Sequence, residues 1–331
     1  MTGPQRDITG DELRRIVTAA YGSPGTLDAA IPLSGGSINT SYVLRMRNGS
    51  LAILRAAPSD ATAAAGPSWL TPWGLRREAA VIALAADLHT VLPVTIAHDF
   101  ERAVIDRDWV IQEVMPGVSL SRVDATLAAD ERTALWVELG TITRRLHSVR
   151  GDTFGPPACG QRFDRWSGLL AQDAEGLVDD AVRFALPVLP FERLRHLIER
   201  LSSVLDKGLS PHLVHSDLAR SHVFVDRTDD GPYRITGIID LEFGRFADPR
   251  MERLITSFRW GNAPAEMAPA FFRGYGRTFE SLEDCARRQV YVAIALGWSA
   301  TILAWLKTRQ QLPKVLGQLD DALTGLEHSM P

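Results

Sequence analysis

The chain has 331 residues, 45% hydrophobic and 23% charged, enough to bury a full core and to hold two lobes. A net charge of -4 with no basic run argues against a nucleic-acid partner. The two cysteines, Cys159 and Cys285, exclude a disulfide framework; buried structural thiols in a reducing cytoplasm are expected.

In chain order, the start Met1 to Asp7 lacks the apolar stretch of a signal peptide. Thr9 to Ala20 has the pattern of an amphipathic helix, with Thr9 and Glu12 as a capping box and Gly22 as its stop. Residues 31–45 predict strand, glycine turn and strand, and Asn48-Gly49 turns the chain into a third strand, Leu51 to Arg55. The tip Ser34-Gly35-Gly36-Ser37 would let main-chain N–H groups approach phosphate oxygens closely, as it would also suit an ordinary hairpin turn. A loop over 58–74 precedes a helix from Leu75, which carries Glu78. Ala103 to Ile105 and Trp109 to Gly117 read as two more strands.

The remainder is predicted mainly helical: Leu127 to His147, Arg162 to Ala171, Val178 to Leu186 and Phe191 to Leu205. Asp248-Pro249 is expected to cap and open another helix. Gln289 to Leu306 has no charged residue, but its polar residues and mid-span Trp298 favour a central helix of a lobe over a membrane span.

Chemistry concentrates in residues 212–249. His215, Asp217 and His222 share one loop, followed by strand Val223 to Val225, a polar turn, and strand Ile235 to Ile239 ending at Asp240. The hairpin returns Asp240 beside Asp217 and His222, a cluster suited to a divalent metal and a phosphate-bearing ligand. Glu242 would share a side with Asp240 if the strand continued.

The pattern His215-x-Asp217-x4-His222, with Ile239-Asp240 at a strand end, resembles the catalytic and metal loops of kinase-fold small-molecule phosphotransferases, the aminoglycoside and macrolide phosphotransferase family. Ser216 stands where the family usually has Gly, and His222 where most members have Asn. The resemblance implies an α+β, protein-kinase-like fold: a small antiparallel-sheet lobe over 1–115 and a larger, mainly helical lobe over 116–331. It implies ATP or GTP as phosphate donor, Mg2+, and a hydroxyl of a small molecule, most readily an antibiotic, as acceptor. A resistance or self-resistance kinase acting in the cytoplasm is one such enzyme. A metabolic kinase for a sugar or amino-alcohol, or a catalytically degenerate nucleotide-binding protein, are the alternatives.

Residue by residue, the resemblance implies Asp217 as base, and Asp240 and His222 as metal ligands. Ser34, Gly35, Gly36 and Ser37 would form the nucleotide loop, and main-chain groups of Glu113, Val114 and Met115 would hold the base. His at 222 also resembles members that favour GTP. No lysine precedes Lys207, so Arg55, paired with Glu78, would take the place of the family's phosphate-binding lysine. The near balance of acids and bases over residues 261–331 favours a less cationic, larger or more apolar acceptor, such as a macrolide or a nucleoside antibiotic.

Overall fold

The computed structural model describes residues 7–33, 36, 38–227, 231–261 and 263–329, the side chains of 259, 260 and 329 excepted. Helix α1 (Gly10–Tyr21) starts at the Thr9/Glu12 capping box and stops at left-handed Gly22. Strands β1 (Leu27–Pro32), β2 (Thr40–Met46) and β3 (Leu51–Ala56) follow as antiparallel neighbours. Then come helices α2 (Asp60–Ala65) and α3 (Gly74–Leu84), and strands β4 (Thr95–Asp99) and β5 (Trp109–Glu113). The sheet order is β1-β2-β3-β5-β4.

Side-chain alternation gives this sheet two uses. Tyr42, Leu44, Met46, Ala52, Leu54 and Ala56 point one way and pack with Ile16 of α1. The intervening Ser41, Val43, Ile53 and Arg55 line a cleft on the other face. Two of the sequence expectations need correction here. The fourth strand is Thr95–Asp99, not Ala103 to Ile105, and the 58–74 loop contains α2.

Pro116-Gly117 leads out of the sheet. Gly117 has φ +85, and a Cβ there would lie 2.2 Å from the Val225 carbonyl oxygen, so only glycine passes. Short β6 (Val118–Ser119) then pairs with the central hairpin.

The helical body comprises α4 (Leu120–Val123), α5 (Ala129–Ser148), α6 (Trp166–Arg183), α7 (Leu189–Arg200) and α8 (Ser202–Asp206). Gly176 lies inside α6, so the two helices expected over 162–186 are one. Strands β7 (His212–Val214), β8 (Val223–Arg227), β9 (Tyr233–Ile238) and β10 (Arg245–Ala247) carry the site loops, with β7 paired to β10 and β8 to β9. Asp248 caps only a 3-10 turn, and Glu252 caps the helix beyond it, α9 (Arg253–Trp260). Helices α10 (Ala268–Tyr275), α11 (Leu282–Trp305) and α12 (Leu312–Ser329) complete the body.

One apolar cluster joins α5, α10 and the hairpin around Trp136 and Phe271; a second joins α6, α7, α11 and α12 around Trp166 and Ile294. Among the described residues no helix is long and apolar enough to cross a membrane. Cys159 is exposed and Cys285 half-buried, against the expectation of two buried thiols.

Candidate active site

A cleft of about 600 Å³ opens between the sheet and the β8–β9 hairpin. Gly36, Arg55, Glu113, Val114, Met115, Asp217, His222 and Asp240 all line it. Glu78 sits behind Arg55, 1% exposed. Ser34, Gly35 and Ser37 lie outside the described residues.

Arg55 ends the cleft-facing row of β3. Its Nη1 donates to both Glu78 oxygens, at 2.6 and 2.7 Å, and its Nη2 donates to Asp240 Oδ1 at 3.0 Å. Gln112 on neighbouring β5 donates to Glu78 Oε1 at 2.9 Å, and the Leu241 N–H to Oε2 at 3.1 Å. Burial pulls the Arg55 guanidinium's pKa down, but the carboxylates of Glu78, Asp240 and Glu242 outweigh it and hold it above its ordinary value. Arg55 is therefore a fixed cation, oriented from three sides, at the cleft wall.

The loop after β7 is held from behind. His215 Nδ1 accepts from the Asp217 N–H at 3.3 Å, which assigns the proton to Nε2, and Nε2 donates to the Ile239 carbonyl at 2.9 Å. Fully buried Glu252 accepts from the His215, Leu218 and Arg253 N–H groups and from His147 Nε2. Burial pushes the Glu252 carboxyl up, but the hydrogen bonds from His147 and the loop N–H outweigh it and keep it below the usual range. Ser216 takes φ +68, a left-handed conformation that a glycine would adopt without strain.

Asp217 emerges from this brace with its carboxylate in the cleft, bonded through Oδ1 to Arg253 Nη1. His222 Nδ1 lies 2.9 Å from the Asp217 main-chain carbonyl and donates to it, which leaves the Nε2 lone pair facing Asp240 Oδ2 at 3.6 Å. Two lone-pair atoms so placed make room for a shared cation. One ligand atom each from Asp217, His222 and Asp240 lies within 4.8 Å of the others. Two carboxylates suit a hard divalent ion such as Mg2+; the imidazole is the softer member of the set.

Glu242 lines the cleft with Asp240, though not by continuation of the strand. The strand stops at Ile238, Asp240 turns left-handed at φ 69, and Leu241–Phe243 form a 3-10 turn that swings Glu242 inward. There it is 5% exposed and accepts from Asn39 Nδ2 at 2.6 Å. Burial, then the charge of Asp240, push its carboxyl up to about 8.

Several contributors gave little sequence signal. Glu252 reads only as a helix-start acid, Arg253 as a surface cation and Asn39 as a turn residue; Gln112 alternates correctly on β5 but is ordinary in type. Arg220, the cation within the loop itself, turns away to Asp124 at 3.0 Å.

A small antiparallel sheet over a helical body, with an Arg–Glu pair and two loop carboxylates at the junction, defines a kinase-like two-lobed protein. The phosphotransferase enzyme family (APH) matches residues 29–285, and the chain belongs to that family. No curated protein matches the chain. Among solved structures it is similar to an apo thermostable mutant of aminoglycoside phosphotransferase APH(4)-Ia, at 17% identity and TM-score 0.66 over 94% of this chain and 98% of that one. It is also similar to the streptomycin–ATP–APH(2")-IIa ternary complex, at 16% identity and TM-score 0.64 over 96% and 97%. A third is a ternary complex of a thermostable APH(4)-Ia mutant with AMP-PNP and hygromycin B, at 17% identity and TM-score 0.66 over 95% and 98%. At these identities the likeness shows the fold.

Proposed function

We propose that the protein transfers the γ-phosphate of ATP or GTP to a hydroxyl of a small molecule, most readily an antibiotic. The observation that carries this reading is the position of Asp217, which lines both the donor-sized cleft and a second cavity on its far side. A carboxylate at the meeting point of two cavities suits a base between donor and acceptor. Solved relatives that hold ATP with streptomycin, or AMP-PNP with hygromycin B, support the same reading.

In the proposed reaction the acceptor oxygen bonds to the γ-phosphorus as the bond to the β–γ bridging oxygen breaks. The hydroxyl proton passes to Asp217, and the nucleoside diphosphate leaves. Arg55 draws the donor phosphates to the end of β3, and Glu78 fixes its fork. Main-chain groups of Glu113 to Met115 hold the base, and Gly36 with its neighbours covers the phosphates. Asp240, with Asp217 or His222, would hold Mg2+, which when bound offsets charge on the phosphates. His222 also fixes the Asp217 main chain. The lobe boundary falls at 115/116, just before Pro116-Gly117. Asp240→Ala tests the assignment: Mg2+-dependent binding of nucleotide, followed by calorimetry, should be lost, and retained binding would refute the ligand role.

A further inference from the structure

The cavity beyond Asp217 encloses about 270 Å³ between the loop after β7, α9 and α11. Its walls are mostly apolar. Trp69 meets Phe243 edge-on at 5.8 Å and is tilted against Trp298 at 6.5 Å. Met251, Ile38 and Ile302 fill the remaining sides.

The charged wall residues, among those described, are Asp217, Arg245 and Arg253. Asp217 is already bonded to Arg253, and Arg245 lies over the Trp298 ring at 5.1 Å with Asp173 behind it at 3.0 Å. The one carboxylate in the described wall, Asp217, is shared with Arg253 through Oδ1, and two guanidinium groups outnumber it. A polycation entering here would meet two guanidinium groups at short range in a poorly hydrated space.

The polar groups of the wall are nearly all used. Thr256 and Ser299 hydroxyls donate to their own helices' carbonyls at 2.9 and 2.8 Å, and the Tyr291 hydroxyl donates to Asp248 at 2.6 Å. Two wall residues differ: Ser216 Oγ and Trp298 Nε1 are buried with no hydrogen-bond partner among the described residues. Both atoms are closed off from the cavity, so its recognition surface is the aromatic wall itself.

We propose that the acceptor is an uncharged, planar-ring alcohol of nucleoside size, seated against the aromatic wall of Trp69, Phe243 and Trp298. Its hydroxyl faces Asp217. The inference rests on the phosphotransferase reading above and narrows its substrate class. The volume lies just below the usual range of about 300–1,000 Å³ for ligand pockets, which suits one or two fused rings and excludes a whole macrocycle.

The test is phosphate transfer from Mg-ATP and Mg-GTP across two panels, followed by nucleoside diphosphate release and 31P NMR of the product. One panel holds ribonucleosides and 2-naphthalenemethanol; the other holds streptomycin, gentamicin and hygromycin B. A ring alcohol should be used with kcat/KM at least about tenfold above any polycation, which the two guanidinium groups disfavour. Trp69→Leu and Trp298→Leu, which each take one ring from the wall, should each raise acceptor KM by about tenfold. Nucleotide Kd should be unchanged in both. Equal or better use of a polycation, no transfer to any ring alcohol, or unchanged KM in both variants overturns the acceptor class. Loss of nucleotide binding by the unmodified protein would instead sink the phosphotransferase reading, so the two failures are distinguishable.

Discussion

Arg55 and Glu78 stand 23 residues apart in sequence, yet they share two hydrogen bonds at the cleft wall, with their side chains 12% and 2% exposed. Breaking such a pair from one side leaves an uncompensated buried charge, so Arg55→Met should lower stability in urea unfolding by about 3–5 kcal/mol. Adding Glu78→Leu should restore most of that stability without restoring nucleotide binding. Recovery of both would show that Arg55 acts only as a structural partner. Asp217 makes a different kind of contribution, because only its carboxylate reaches the cleft while His215 and Glu252 hold its main chain. Asp217→Asn should therefore cut turnover by about 10²–10⁴ with nucleotide affinity nearly intact. Near-normal turnover in single-turnover assays would end its assignment as base.

At the scale of elements, the site depends on how the loop after β7 is anchored at both ends. Asp124, 0% exposed, accepts from Arg132 on α5, from Trp136 and from Arg220 beside His222. Burial pushes its carboxyl up, but these donors outweigh it and hold its pKa below the ordinary value. The folded-state pKa is thus the lower of the two, and the unfolded chain takes up the proton first. Its contribution is complete above the ordinary carboxylate value and is lost as pH falls through the folded value. Urea midpoints measured downward from pH 6 should fall over that interval, and less steeply in Asp124→Asn; equal slopes would place the acid sensitivity elsewhere. The strands show why some elements were readable and others not. Alternation and turn residues marked β2, β3 and the β8–β9 hairpin, because one side of each faces a core. Edge strand β4 was missed: Thr95, Ile96 and His98 are exposed on it, so it has no buried stripe to announce it. Glu252 was illegible for another reason, since its four donors come from His147, His215, Leu218 and Arg253, and only Arg253 is near in sequence.

For the whole molecule, polar contacts tie the sheet lobe to the helical body near the site, Arg55 to Asp240, Leu241 to Glu78 and Asn39 to Glu242, while Val81, Ala85 and Leu88 of the sheet lobe join an apolar cluster of the body. A ligand in the cleft bridges the same two parts, so donor binding should register as global stability. Family and fold were legible because the His215–Asp240 block lies on one continuous stretch of chain. The cavity beyond Asp217 was not, because Trp69, Ser216, Phe243 and Trp298 come together only in the folded protein. The most direct test of the donor assignment is thermal unfolding with Mg2+ plus ATP and, separately, Mg2+ plus GTP. At about a hundred times its Kd, a donor should add about 2.7 kcal/mol and raise Tm by several degrees, and the nucleotide giving the shift names the donor. No shift with either nucleotide would contradict the phosphotransferase account and point to a site that no longer binds its donor.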